Sequence, residues 1–419
     1  MSKIKKIHAR TILDSRGIPT VEAEITTEKS SARASVPSGA STGTREAVEL
    51  RDQAKPFGGR GVARTVQNVN EILAPPLIGC EVTAQPALDA TLCDLDGTTN
   101  KRKLGANALL AVSLAAVKVA AQEKQLPLFK YFGELAQNQT FTLPIPLLNI
   151  LNGGKHADNG LALQEFLLVP TGFTNFPAAL RAGVETYYQL KGILQKAGQT
   201  TNVGDEGGFA PNFQTTSEAL AALQKAILQA GYTGKIKLAL DAAASEFYHS
   251  GYYELDGKRL TSLELIDFYQ KLSETYPLVS LEDGLAENDF NGWKILTEKL
   301  GKKIQLVGDD LFCTNPAILQ EGIKNNSANA ILIKPNQIGT VSETLETITC
   351  ARKAHYATII SHRSGETEDT TIADLAVGVA AGQIKTGAPT RTDRTAKYNQ
   401  LLRIAERLDQ ASLAPFNFK

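Results

Sequence analysis

A short apolar run that stops on an ionisable side chain recurs six times between residues 236 and 387 of this chain. The runs are "IKLALD" (Ile236 to Asp241), "LVSLED" (Leu278 to Asp283), "IQLVGDD" (Ile304 to Asp310), "ILIK" (Ile331 to Lys334), "ATIISHR" (Ala357 to Arg363) and "QIKTG" (Gln383 to Gly387). Each has the length and β-branched content of a buried strand. Their charged ends follow one another at steps of roughly 25–40 residues, about one strand–helix unit each. Parallel strands with helical crossovers form either a closed barrel or an open doubly wound sheet. The barrel is favoured, because functional groups in such barrels gather at the C-terminal ends of several strands. No G-x-G-x-x-G turn follows an early strand and no G-x-x-x-x-G-K-[ST] is present, which argues against a nucleotide-binding sheet.

At 419 residues the chain exceeds one ordinary core. Residues 1–135 read as a separate α+β capping domain with a mobile lid loop. There "VEAEITTEKSSARASVPSGAST" alternates like antiparallel strands, and helix-like stretches follow near residues 62–74 and 105–123. Pro144 and Pro146 mark the passage into residues 136–419, the α/β barrel expected to carry the active site. Lys plus Arg equals Asp plus Glu at 44 each, so a nucleic-acid partner, which demands a basic surface, is not expected. "MSKIKKIHARTIL" lacks the apolar core of a secretory signal. "GANALLAVSLAAVKVAAQ" is interrupted by Asn107, Ser113 and Lys118 and reads as a buried helix, not a membrane span. Cys80, Cys93, Cys313 and Cys350 are far apart and form no C-x-x-C, as expected of reduced core thiols in a cytoplasmic protein.

Three successive runs end on Asp241, Glu282 and Asp309. Brought together, these carboxylates would repel and raise one another's pKa. A hard divalent cation such as Mg²⁺ resolves that repulsion. Alternatively, each acid caps the helix that follows it. Lys334 ends the next run, either as an ion-pair partner or as a general base whose pKa burial lowers. Lys385 adds a second amine. "SHRSGETED" offers His362, Arg363 and Ser364 in one turn, as a phosphate clamp or as a capping box at Ser364 and Thr367. "VGDEGGFAP" carries Asp205 and Glu206 in what could be a plain tight turn, and "LNGGKHADN" exposes His156. "VPSGASTGTREA" lacks a P-loop lysine and reads as a surface loop or a lid over the rim.

At this point the chain resembles the enolases. The resemblance is carried by "DSRGIPTVEAE", "PSGASTGTREAVELRD", "GANALLAVSLA", "LNGGKHADN", "QEF", "GDEGGFAP", "SLEDGL", "VGDDLF", "IKPNQIGT", "SHRSGETED" and "AKYNQLLRI", in the family's order along nearly the whole chain. It implies a TIM-like (β/α)8 barrel with an antiparallel second strand, beside a smaller N-terminal α+β domain. It also implies a cytoplasmic glycolytic hydro-lyase converting 2-phosphoglycerate to phosphoenolpyruvate. By resemblance, Asp241, Glu282 and Asp309 hold a first Mg²⁺, and Ser41 helps hold a second that arrives with substrate. Lys334 is then the base, Glu206 the acid, Glu165 and Lys385 assist, and His156, Gln164, Arg363, Ser364 and Lys385 meet the substrate, with His362 among the catalytic groups. A homodimer or an octamer of dimers is implied as well. Ile18, Ala162, Ala242 and Pro335 depart from the usual family residues without replacing any of these groups.

The chemistry explains why such groups are needed. A proton α to a carboxylate is very weakly acidic, and a Lys base with one or two Mg²⁺ is a known answer to that problem. Lys334 must be neutral to act, and Glu206 must be protonated to release hydroxide as water. Like-charge repulsion from Glu165 is the expected source of that protonation. The alternative is another acid dehydratase or racemase of the same superfamily, which would use a K-x-K pair where "FLLVP" has none. A further expectation is a role at the cell surface or outside the cell, with terminal Lys419 docking to host plasminogen.

Overall fold

The computed structural model describes residues 2–53, 55–408 and 412–418. The first sheet is antiparallel and consists of β1 (Lys6–Leu13), β2 (Pro19–Thr26) and β3 (Ser31–Ser35). Its central strand β2 is buried almost throughout, covered by the helix Ala106–Glu123. That helix is Ala-rich, and 15 of its 18 residues are buried, because small side chains let it approach the sheet and the barrel at once. No described helix is long and apolar enough to cross a membrane.

Eight strands close the barrel: β4 (Ile145–Asn152), β5 (Glu165–Val169), β6 (Lys237–Asp241), β10 (Leu278–Glu282), β11 (Gln305–Gly308), β12 (Ala330–Ile333), β13 (Ala357–Ser361) and β14 (Gly382–Lys385). A small hairpin sheet, β7 (Tyr248–His249), β8 (Tyr252–Leu255) and β9 (Lys258–Leu260), interrupts the series. Around the ring the order is β10, β11, β12, β13, β14, β4, β5, β6, with β5 antiparallel to both neighbours and all other pairs parallel. All six apolar runs became barrel strands. Inside the barrel, Gln305 and Gln383 exchange side-chain hydrogen bonds of 3.0 and 2.7 Å, and Gln305 also donates to Ser280 Oγ at 3.0 Å. Their buried amides are thereby satisfied by one another.

The acids at the strand ends are not helix caps. Thr261 caps the helix Ser262–Thr275 with a full capping box, Asp289 caps Phe290–Leu300, and Asn315 caps Pro316–Lys324. Each cap contributes about 1 kcal/mol. With those positions filled by other residues, Asp241, Glu282 and Asp309 are free for other work. Nor do Ser364 and Thr367 form a capping box. The nearest helix begins at Thr371, and Asp369 accepts from the Thr371 amide at 2.8 Å.

Other readings need correction. Cys313 is buried, but Cys80, Cys93 and Cys350 are only partly so, and all four are free thiols. The helical stretch after Val62 is not uniform: it passes through a π turn at Asn68–Leu73. Lys419, on which the expected surface contact depends, lies outside the described residues.

Candidate active site

Strand register builds the site. Glu165 opens β5 opposite Asp241, and Asp241 pairs in register with Glu282, so three carboxylates stand side by side on one rim. β5 runs backwards, which brings its first residue to the end where the parallel strands finish. Asp309, Lys334 and His362 follow β11, β12 and β13 by one residue, and Lys385 ends β14. Gln164 and His156 lie on the β4–β5 connection, and Glu206 precedes the helix Thr216–Gln229. A small cavity opens here. Every residue to which the resemblance gave a catalytic, substrate or metal role lines it except Glu282, which Lys385 covers.

The amines and acids are interleaved. Lys385 Nζ donates to Asp241 Oδ2 at 2.9 Å and to both Glu282 oxygens at 2.9 Å, and lies 3.2 Å from Glu165 Oε2. Lys334 pairs with Asp309, which also accepts from Gln337 Nε2 at 2.9 Å. Burial pushes the Glu282 carboxyl well above the usual range, and Asp241 beside it adds to the effect. Burial works to strip both lysines of their protons. The surrounding carboxylates more than offset it, Asp309 for Lys334 and Asp241, Glu165 and Glu282 for Lys385, so both amines are held protonated. For Lys334 this differs from the neutral amine that the sequence argument required.

The glutamate pair also corrects the sequence reading. Burial would raise Glu206, but His362 and His156 on either side hold it well below the usual carboxylate range. His362 Nε2 is 3.1 Å and His156 Nε2 3.7 Å from its oxygens, and Asn149 Nδ2 donates to it at 2.9 Å. Glu165 moves the other way, raised well above that range first by burial and then by the Glu206 charge. The repulsion is real, but it raises the other member. Burial also pushes the His362 imidazole down to about 3 and lowers His156.

A loop from the first domain closes the cavity. Ser38 and Gly365 exchange backbone hydrogen bonds of 2.8 Å, and Ser364 Oγ accepts from the Ala40 amide at 2.7 Å. The Arg363 guanidinium donates to both Glu46 oxygens at 3.0 and 3.1 Å and to the Ser41 carbonyl at 3.1 Å. A Cβ on Gly39 would lie 2.0 Å from Arg363 Nη2, so only glycine fits this approach. Ser41 turns its hydroxyl to Glu246 Oε1 at 2.8 Å, and Glu246 also pairs with Lys155 at 2.6 Å.

The donor chemistry fits a hard dication. Carboxylates outnumber Lys334, Lys385 and Arg363 around the cavity, and a cation, the Lys385 ammonium, already bridges Asp241 and Glu282. Among the described residues, two trios place their ligand atoms within 4.8 Å of one another: His156, Glu165 and Glu206, and Asp283, Asp309 and Asp310. Asp241, Glu282 and Asp309 do not form such a trio, because Lys385 draws in the first two and Lys334 and Gln337 draw in the third.

Sequence reasoning missed several participants. Asp283 and Asp310 line the cavity, one residue beyond acids already singled out in "LED" and "GDD". Asp283 accepts from the Asp309 and Asp310 amides at 2.9 and 2.8 Å and has φ +40°, a strained conformation for a non-glycine residue. Asn149, Glu46 and Glu246 had no local signal. Comparison with known families matches residues 4–132 to the description "Enolase, N-terminal domain" and residues 140–417 to "Enolase, C-terminal TIM barrel domain". With both parts matched in order, and the reversed β5 bringing Glu165 beside the acids of the rim, the chain belongs to the enolase family.

Proposed function

We propose that this protein interconverts 2-phosphoglycerate and phosphoenolpyruvate by loss and gain of water. The observation that carries the reading is the opposition of an amine and an acid pair across one cavity. Lys334 follows β12, and Glu165 opens β5 four strands away around the eight-stranded ring. In the forward direction Lys334 Nζ, once neutral, takes the C2 proton. The C3–O bond then breaks, and the Glu165–Glu206 pair supplies the proton that lets hydroxide leave as water. Arg363, Ser364 and the backbone of the lid offer donors to the phosphate, while His156 and Gln164 face the rest of the substrate. Asp241, Glu282 and Asp309 would hold one Mg²⁺, and Ser41, after leaving Glu246, a second that enters with substrate. When bound, Mg²⁺ offsets the charge that builds on the substrate carboxylate. The test is Mg²⁺-dependent ultraviolet absorbance from phosphoenolpyruvate after 2-phosphoglycerate is added. No absorbance change with purified, folded protein and Mg²⁺ would reject the proposal.

A further inference from the structure

The buried guanidinium of Arg394 has no place in the chemistry above, yet it joins two loops that do. It is fully buried near the start of the helix Thr392–Arg407. Nη1 lies 2.6 Å from His362 Nδ1 and donates to the Arg363 carbonyl at 2.5 Å. Nη2 donates to the carbonyls of Ser364 at 2.5 Å and Asp205 at 3.1 Å, and Nε lies 2.8 Å from Asp393 Oδ2. A guanidinium has donors only. The hydrogen bond to His362 therefore uses the Nδ1 lone pair, and the ring proton must sit on Nε2. That nitrogen faces Glu206 Oε2 at 3.1 Å, and the same oxygen accepts from Asn149 Nδ2 at 2.9 Å. With Oε2 facing two donors, a proton on Glu206 is left to Oε1.

We propose that Arg394 is a positioning residue: it fixes His362 as the Nε2–H tautomer and so leaves Oε1 as the Glu206 oxygen open to a proton. The inference rests on the proposed reaction for its consequence, but the tautomer is a property of the protein alone. The groups facing the imidazole are Arg394 on one side, Glu206 on the other, and Lys385 further off. Arg363 and Ser364 turn only their carbonyls to Arg394, so the same contacts anchor the clamp loop to the acid loop through Asp205.

Nitrogen NMR of histidine-labelled wild-type protein, with the His362 signals assigned from a His362→Gln spectrum, reads the tautomer directly. A pyridine-like Nδ1 and a pyrrole-like Nε2 are expected from about pH 5 to 8. A protonated Nδ1 in that range would overturn the proposal. Arg394→Met should shift the ring toward mixed tautomers and lower kcat by about 10²-fold, with KM nearly unchanged. Arg394→Lys, which keeps a donor, should retain most of the activity and the wild-type tautomer. A folded Arg394→Met protein with the wild-type ring spectrum and kcat would refute the assignment. If that variant does not fold, the wild-type spectrum decides alone. Wild-type protein with the expected ring spectrum but no turnover of 2-phosphoglycerate would sink the reaction and leave the tautomer standing.

Discussion

Replacing Lys385 with Met tests the electrostatics of the rim without reference to the substrate. The ammonium is 2.9 Å from Asp241, 2.9 Å from each Glu282 oxygen and 3.2 Å from Glu165, and all four side chains are at most 5% exposed. Methionine fills nearly the same volume, so the loss is one of charge. Removing one partner of a buried ion pair costs about 3–5 kcal/mol, because the remaining charge has no water to replace it. At roughly 2.1 cal/mol/K of unfolding entropy per residue, a barrel of this length loses about 2 °C per kcal/mol, so Tm should fall by roughly 5–10 °C. Burial and mutual repulsion already hold Glu165 and Glu282 well above their ordinary pKa, and losing the amine raises them further. A raised folded pKa means proton uptake on folding. The stability contribution is complete below about pH 4, the unfolded value, and is lost as pH rises through the folded values. The deficit of Lys385→Met relative to wild type should therefore be larger near pH 8 than near pH 5. Differential scanning calorimetry with chelator present measures both. Added Mg²⁺ should recover part of the deficit at the higher pH. An unchanged Tm, or a deficit equal at the two pH values, would contradict the electrostatic account.

Other variants probe separate parts of the reasoning. Lys334→Ala should slow exchange of the C2 proton of 2-phosphoglycerate with deuterated solvent by about 10²–10⁴-fold, whereas Glu206→Gln should keep exchange and lose elimination. Proton NMR resolves the two, and normal exchange in Lys334→Ala would remove it as the base. Gly39→Ala, whose new methyl would overlap Arg363, should raise KM for 2-phosphoglycerate more than it lowers kcat. An unaltered KM in steady-state kinetics would show that the loop does not close on the substrate. Gln305→Leu should destabilise the barrel by about 1–3 kcal/mol by stranding the Gln383 amide. Gln305→Leu with Gln383→Leu should recover much of that in urea unfolding, and a double variant worse than the sum of the singles would count against the exchange of hydrogen bonds.

The barrel strands were legible because an alternating or continuous apolar run is a local signal, and six of them repeated it. The hairpin of β8 and β9 carries an equally local sign in Asp256-Gly257, the preferred chemistry of a tight turn, but no charged strand end that would tie it to the rim. The reversal of β5 had no signature in the sequence of that strand. Only the family resemblance suggested it, and the strand pairing places Glu165 beside Asp241.

What a local reading could not reach is the division of labour between chemically identical groups. Glu165 and Glu206 are both wholly buried glutamates within 4.8 Å of each other. From composition alone neither has a claim to the proton. The difference comes from neighbours distant in the chain: His362 and Asn149 turn toward Glu206, His156 stands between the two with Nδ1 3.5 Å from Glu165 and Nε2 3.7 Å from Glu206, and Glu165 has besides only a share of Lys385, which Asp241 and Glu282 also claim. The same holds for the metal ligands. Sequence identified three acids that should repel and two lysines near them, but not that Lys385 sits between Asp241 and Glu282 while Lys334 takes Asp309. Residue type at a strand end thus fixes which charges meet at the rim, and the long-range packing of loops and helices decides which of them carries a proton.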